Sequence, residues 1–312
     1  MTAVALAILV ALAVDRLFGE PPARLHPVVA MGHYLGWAGA QVAPRPGQTH
    51  RPWRVFALGA LAWVLGATVV LAAAAGVVVL VRESPPLWQA VLLGVLLKPL
   101  LAWRLLREEV WAVETALAES LDAGRARLAW LVSRDVSTLT EAQVRESAIE
   151  SLAENLNDSV VAPLFWFVLA GLPGAALYRF ANTADAMWGY RGERQGRDWT
   201  WAGKWAARAD DVLSWVPARI TALLLALWAP WRVWPRLPPE ARRTASPNSG
   251  WPMAAMALGL GVRLGKPGAY TLNASGRTPE RADTQGAIAR ATHVLQTLCA
   301  GALLGVLWRA WP

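Results

Sequence analysis

The chain has 312 residues, 55% of them hydrophobic and 17% charged, with 19 Trp, a single Cys and a formal net charge of +8. So apolar a composition excludes an ordinary soluble domain and a disordered chain, and one thiol excludes an intrachain disulfide. The positive surplus is scattered through short connections with no basic helix or nucleic-acid motif, so it reads as membrane orientation rather than nucleic-acid binding.

Residues 2–14 are apolar with no basic residue before them, which reads as an uncleaved first helix rather than a signal peptide. The connection 15–54 carries Arg16, Arg24, Arg45, Arg51 and Arg54 and opens with DRLFGEPPARLHPVVAMG. Pro21, Pro22 and Pro27 stiffen its path, and His26 is the one nearby group suited to proton transfer near neutrality. A second span is expected at 55–81, which carries no charge and suffices for a hydrocarbon core of roughly 30 Å. A third follows at 87–103, after the Pro85–Pro86 turn, where Lys98 reads as a snorkelling side chain. Arginine asymmetry places the connection 15–54 on the cytoplasmic side, together with the polar region 105–159 after the third span.

That polar region reads as helices separated near Asp122–Gly124 and again at Ser133–Thr140. Thr140 followed by Gln143 is a capping box, so a helix is expected from Glu141. Along it Glu146, Glu150, Glu154 and Asp158 drift by only about 40° per step, opposite Ile149, Leu152, Ala153 and Leu156. Like charges at this spacing cost roughly 0.2–0.5 kcal/mol per pair, so an acidic face with no Lys or Arg on it calls for a partner. A divalent cation is the candidate, because hard ions take carboxylate oxygens and share them with substrate phosphates. A solvated face is the competing reading.

The apolar stretch 160–178 contains Gly171-Leu172-Pro173-Gly174, a helix-breaking sequence. A broken or re-entrant helix there would return the following polar stretch, 182–211, to the side of the acidic helix; a single crossing would separate them. In 182–211, Asn182, Asp185, Asp210 and Asp211 stand beside Arg191, Lys204 and Arg208, a mixture suited to a metal on carboxylates and an anion held by Arg forks. A fifth span is expected at 212–234, with Arg219 inside it facing a carboxylate or a substrate anion, since a central Arg is costly without one. The polar region 235–292 contains SPNSGWPMAAMA (246–257), where Asn248 lies in a turn before a helix able to receive an anion, and 293–308 is the last span. No Walker A pattern, nucleophile elbow or HExxH occurs. The expected fold is therefore all-α: a polytopic helical membrane protein, 1–312 forming a single membrane-embedded domain with cytoplasmic helical elaborations.

Five motifs together resemble the integral-membrane adenosylcobinamide-phosphate synthase family of cobalamin biosynthesis. They are DRLFGEPPARLHPVVAMG (15–32), SRDVSTLTEAQVRESAIESLAENLNDSVVAPLF (133–165), RFANTADAMWGYR (179–191), ARADDVLSWVPARITALL (207–224) and SPNSGWPMAAMA (246–257), in order over nearly the full length. Glu20 departs from the Asp usual in the family, keeping a carboxylate. The resemblance implies an amide-forming ligase that joins adenosylcobyric acid, a corrinoid, to aminopropanol phosphate or a related amino-alcohol phosphate, driven by ATP with Mg²⁺ through an acyl phosphate. It further implies a multi-pass protein of the inner membrane with a cytoplasmic site, other late cobalamin-pathway membrane enzymes as partners, and no nucleic acid. On that basis Glu150, Glu154, Asp158, Asp185, Asp210 and Asp211 would hold Mg²⁺, with Glu150 and Glu154 also catalytic. Arg134, Asn182, Arg191, Arg208, Arg219 and Asn248 would bind substrate or phosphate, and His26 would be the base for the ammonium. The alternative is a non-catalytic membrane sensor or scaffold of the same superfamily; a transporter is disfavoured because no inverted repeat is present.

Overall fold

A computed structural model describes residues 2–310. In chain order its helices are α1 (Thr2–Phe18), α2 (Pro27–Val42), α3 (Pro52–Arg82), α4 (Pro86–Leu97), α5 (Trp103–Glu119), α6 (Leu121–Leu128) and α7 (Glu141–Leu156). After a π turn at Asn157–Val161 come α8 (Ala162–Trp188), α9 (Lys204–Leu213), α10 (Trp215–Ala226), α11 (Leu237–Ala241), α12 (Gly250–Leu260) and α13 (Arg281–Ala310). The all-α expectation holds with one addition, two small antiparallel hairpins: β1 (Glu193–Arg194) with β2 (Arg197–Asp198), and β3 (Leu264–Lys266) with β4 (Tyr270–Leu272). The second turns at Pro267–Gly268, where Gly268 has φ +73° and Ala269 N–H donates to the Lys266 carbonyl at 3.0 Å. Pro followed by a left-handed Gly is the chemistry of a type II turn, too short a signal to outweigh the helical pattern around it.

Four helical runs are long and apolar enough to cross a membrane: Pro52–Arg82, Pro86–Glu119, Glu141–Trp188 and Arg281–Leu307. Two of them are composite. A 3₁₀ turn, Lys98–Leu100, separates α4 from α5, and the third run includes the π turn and a break inside α8. The π turn has a sequence cause. Pro163 has no N–H for the Ser159 carbonyl four residues back, and that carbonyl accepts instead from Ala102 N–H at 3.1 Å. The break falls in the expected Gly-Leu-Pro-Gly, at Ala170 (φ −133°, ψ 16°) and Gly171 (φ 65°, ψ −160°). A Cβ on Gly174 would lie 2.6 Å from the Trp166 carbonyl oxygen. Residues eight apart in a straight helix are about 12 Å apart along the axis, so the chain has doubled back on itself. The stretch 160–178 therefore does not cross as one straight helix.

The expected span at 212–234 is corrected. Pro230 ends the helical region, leaving α10 with 12 residues before a 3₁₀ segment at Trp231–Arg236. At 1.5 Å per residue, α10 is about 18 Å long, short of a hydrocarbon core. The break predicted near Asp122–Gly124 lies slightly earlier, where the Ser120 side chain caps α6 on Ala123 N–H.

The chain gathers into two compact units of interleaved segments. The first is Met1–Leu101, Ala162–Ser214 and Gly305–Pro312; the second is Ala102–Val161 and Trp215–Leu304. In the first, α1 packs on α4 so closely that a Cβ on Gly94 would meet the Ala7 carbonyl at 2.6 Å. Trp188, fully buried in the same unit, stacks on Trp199 at 6.0 Å and donates from Nε1 to the Leu35 carbonyl. The second unit packs α7 against α5, α12 and β3.

Candidate functional site

In the second unit the expected capping box starts α7: the Thr140 hydroxyl accepts from Gln143 N–H, and the Gln143 side chain accepts from Thr140 N–H. The face that follows is acidic but not solvated. Glu146 and Glu150 are 3% and 4% exposed. Glu146 is neutralised by Arg263, whose Nη2 and Nε donate to Oε1 at 3.2 and 3.4 Å, so this carboxylate's partner is a guanidinium from far along the chain. Arg134 lies 3.8 Å from Glu150 Oε2 and is fixed by donating to Ser147 Oγ at 2.6 Å. Tyr270, from β4, completes the group. Its hydroxyl donates to the Met253 sulfur at 3.8 Å and lies close enough to Glu150 to feel its charge. Burial, and then the charges of Glu150 and Glu154, push the Tyr270 phenol far above its usual range, so it stays protonated as a donor. The second oxygen of Glu150, Oε1, has no hydrogen-bond partner among the described residues. A buried carboxylate oxygen left unsatisfied is costly, and a bound cation or ammonium is what would satisfy it.

Glu154 and Asp158 are half-buried, and Asp158 accepts from Asn157 Nδ2 at 2.8 Å within the π turn. The wider turn interrupts the four-residue ladder after Glu154. Among the described residues no three His, Cys, Asp or Glu side chains converge to hold a metal by themselves. A magnesium ion that keeps its waters and is shared with substrate phosphates needs only one or two carboxylates, and Glu150 with Glu154 fits that role.

Arg219 is in the same unit but not beside a carboxylate. Its Nη1 donates to the Trp215 carbonyl at 2.7 Å and to Asn248 Oδ1 at 2.9 Å, and Nη2 to the Pro247 carbonyl at 3.1 Å. The guanidinium also lies over the rings of Trp215 and Trp251, at 4.2 and 4.9 Å. Carbonyls, an amide oxygen and aromatic faces thus stand where a carboxylate was one of the expected partners, and they offset part of the desolvation cost. The turn before α12 is likewise occupied internally: Ser246 Oγ accepts from Asn248 N–H and Ser249 N–H, both at 3.2 Å.

The first unit holds the remaining candidates. Lys98 does not snorkel; it is 3% exposed, with Nζ 2.9 Å from Glu20 Oε2 and 3.5 Å from Asp15 Oδ1. His26 Nε2 lies 3.1 Å from the same Glu20 oxygen, while its Nδ1 accepts from Val28 N–H and caps α2. Both ring nitrogens are thus engaged. Asn182 Nδ2 donates to Asp210 Oδ1 at 3.4 Å, and Ser214 joins Asp210 Oδ2 at 3.5 Å. The Asp185 carboxylate packs against the Gly189 backbone. Arg208 reaches Asp211 at 3.6 Å, and Arg191 is exposed. Burial pushes the Asp211 carboxyl up, against the pull of Arg208 and Arg191.

Arg263, Lys266 and Tyr270 were not singled out by sequence reading. The one signal available was Lys-Pro-Gly between apolar residues, a turn that brings the chain back across α7.

The profile of the CobD/Cbib protein family matches residues 8–298. The chain is 37% identical over 308 residues to the probable cobalamin biosynthesis protein CobD of Methanothermobacter thermautotrophicus, covering 96% of this chain and 98% of that one. It is 42% identical over 277 residues to the probable cobalamin biosynthesis protein CobD of Pyrococcus abyssi, with 88% and 87% covered. With the cobalamin biosynthesis protein CobD of Chromobacterium violaceum it shares 42% over 262 residues, with 82% and 80% covered. No solved structure matches. A match over nearly the whole length, with the buried acidic helix and its arginine and tyrosine partners inside it, shows that this chain belongs to the CobD/Cbib family.

Proposed function

We propose that this protein acts in cobalamin biosynthesis as an amide-forming synthase. It would join a propionate carboxylate of adenosylcobyric acid to the amine of aminopropanol phosphate, or of a related amino-alcohol phosphate, to give adenosylcobinamide phosphate. Family membership supports the pathway. The observation that carries the chemistry is the buried Glu150, with one oxygen unpaired, beside Arg134 and Tyr270.

A carboxylate is a poor acyl donor, so the economical route first transfers the terminal phosphoryl group of ATP to it and releases ADP. The amine then attacks the acyl carbon, phosphate leaves, and the nitrogen gives up a proton. Magnesium, when bound, would neutralise phosphate charge. Glu150 and Glu154 are the carboxylates that would hold it. Arg134 would receive negative charge as it builds on phosphate or acyl oxygens, and the Tyr270 hydroxyl would donate to an oxygen at the same place. We further propose that the site opens to the cytoplasm across the inner membrane, where ATP is available, near other late enzymes of the pathway.

The test is direct. Purified protein in detergent, given adenosylcobyric acid, aminopropanol phosphate, ATP and Mg²⁺, should yield adenosylcobinamide phosphate by mass spectrometry with one ADP per product. Absence of product with correctly folded protein and all four components would reject the reading.

A further inference from the structure

Residues 227–243 follow α10 within the second unit: Pro230 opens the 3₁₀ turn Trp231–Arg236, and α11 comes after it. In a 3₁₀ turn residues three apart eclipse, so Trp231 and Trp234 form one ridge and Val233 and Arg236 another. Val233, Leu237 and Ala241 are buried and fix the segment to the unit, and Arg236 Nη2 donates to Asn273 Oδ1 at 2.8 Å. The other side is open. Trp231 is 82% exposed, and Leu227 and Trp228 are exposed beside it, a costly arrangement for large apolar groups in water. The segment carries Arg232, Arg236, Arg242 and Arg243 against one carboxylate, Glu240, which Arg243 takes at 3.1 Å. Arg232 and Arg242 are exposed and form no ion pair among the described residues, and Arg236 is hydrogen-bonded to an amide oxygen, so three guanidinium charges stand without an anion.

The level of this surface is marked by α13. Arg290 donates to the Trp228 carbonyl at 3.1 Å and to the Gly259 carbonyl at 2.7 Å, and the Trp228 ring lies 5.1 Å from the His293 ring. Up to that point α13 carries Arg281, Asp283 and Arg290; residues 294–304 carry no charge, and Leu303 and Leu304 are exposed. Trp228 therefore sits where a helix apolar enough to cross the membrane passes from polar to apolar, which is the position of the lipid–water boundary. Exposed indole rings with unpaired arginines at that level match a headgroup region, the rings spanning its apolar edge and the guanidinium groups meeting phosphates. A second copy of the chain on a two-fold axis would cover the rings but set the same arginines against each other. We infer that residues 227–243 lie along the membrane surface and bind anionic phospholipid, with Trp228, Trp231 and Trp234 at the headgroup boundary and lipid phosphates on Arg232, Arg236 and Arg242. This goes beyond the reaction proposed above and does not depend on it.

Two measurements on the full-length protein test the inference. On a Cys299→Ser background, bimane attached at Trp231→Cys in nanodiscs should be quenched at least threefold more strongly by a lipid with a headgroup nitroxide than by one with the nitroxide deep in its acyl chain. Stronger quenching from the deep nitroxide means that the segment crosses the bilayer, and quenching from neither means that water or protein covers it; both overturn the inference. A disulfide between two copies at Trp231→Cys, without lipid quenching, makes this face a subunit interface and overturns it as well. In native mass spectrometry from detergent with equal phosphatidylglycerol and phosphatidylcholine, the protein should retain phosphatidylglycerol preferentially. Arg232→Gln with Arg242→Gln should cut phosphatidylglycerol retention about tenfold and leave phosphatidylcholine within twofold, with the helical circular dichroism unchanged. Arg232→Lys with Arg242→Lys, which keeps both charges, should stay within threefold of wild type. Undiminished phosphatidylglycerol retention in the double Gln variant overturns the assignment of anionic lipid to these arginines.

Discussion

Glu150 and Arg219 illustrate how one sequence signal, a charge in an unexpected place, resolves in opposite ways. Glu150 is buried with an oxygen left over, whereas every directed contact of Arg219 ends on a carbonyl, an amide oxygen or a ring. Glu150→Gln keeps shape and burial but removes the charge, so turnover should fall by about 10²-fold or more with expression and helicity intact, as measured by product formation. A rate within a few-fold of wild type would return Glu150 to a structural role. Arg219→Lys cannot reproduce the fork or the stacking between Trp215 and Trp251, so it should cost about 1–2 kcal/mol of stability, read by thermal unfolding in detergent. Its KM values should stay at wild type, because no substrate group is needed to account for this arginine.

At the scale of elements, two breaks decide where the polar segments go. Gly171 has a φ/ψ pair close to glycine alone, so Gly171→Ala should destabilise the protein by about 1–3 kcal/mol, more than the same change at the exposed Gly76 of α3, where nothing crowds a Cβ. The doubled-back chain also makes a topological prediction. On a Cys299→Ser background, single cysteines at Arg24, Gly124 and Asp198 should all be labelled by impermeant reagents from the cytoplasmic side. Labelling of the Asp198 position only from outside would mean that the turn does not return the chain. The other break, the π turn, follows from Pro163 and from the Ser159 carbonyl it leaves for Ala102.

For the molecule as a whole, the proposed reaction requires ATP and a divalent ion together. Removing metal with EDTA should abolish product, and added Mg²⁺ should restore it while fold and thermal stability hold, since Arg263 and Arg134 already accompany Glu146 and Glu150. Loss of the fold on chelation would instead point to a structural ion. Product formed without ATP would exclude the acyl phosphate route.

Membrane character, the main apolar helices, the capping box at Thr140, the break at Gly171 and the acidic face were legible in the sequence, because each depends on composition or on spacing within one stretch of chain. What covers that face was not. Arg263 and Tyr270 lie 117 and 120 positions beyond Glu146 and Glu150, so only folding could show that the face is buried against a hairpin rather than solvated. Lys98, His26 and Arg219 depend on tertiary structure in the same way. A charge in an apolar stretch states that a partner is needed, but its identity, carboxylate, backbone or ring, is a matter of which distant segments the packing brings within about 4 Å.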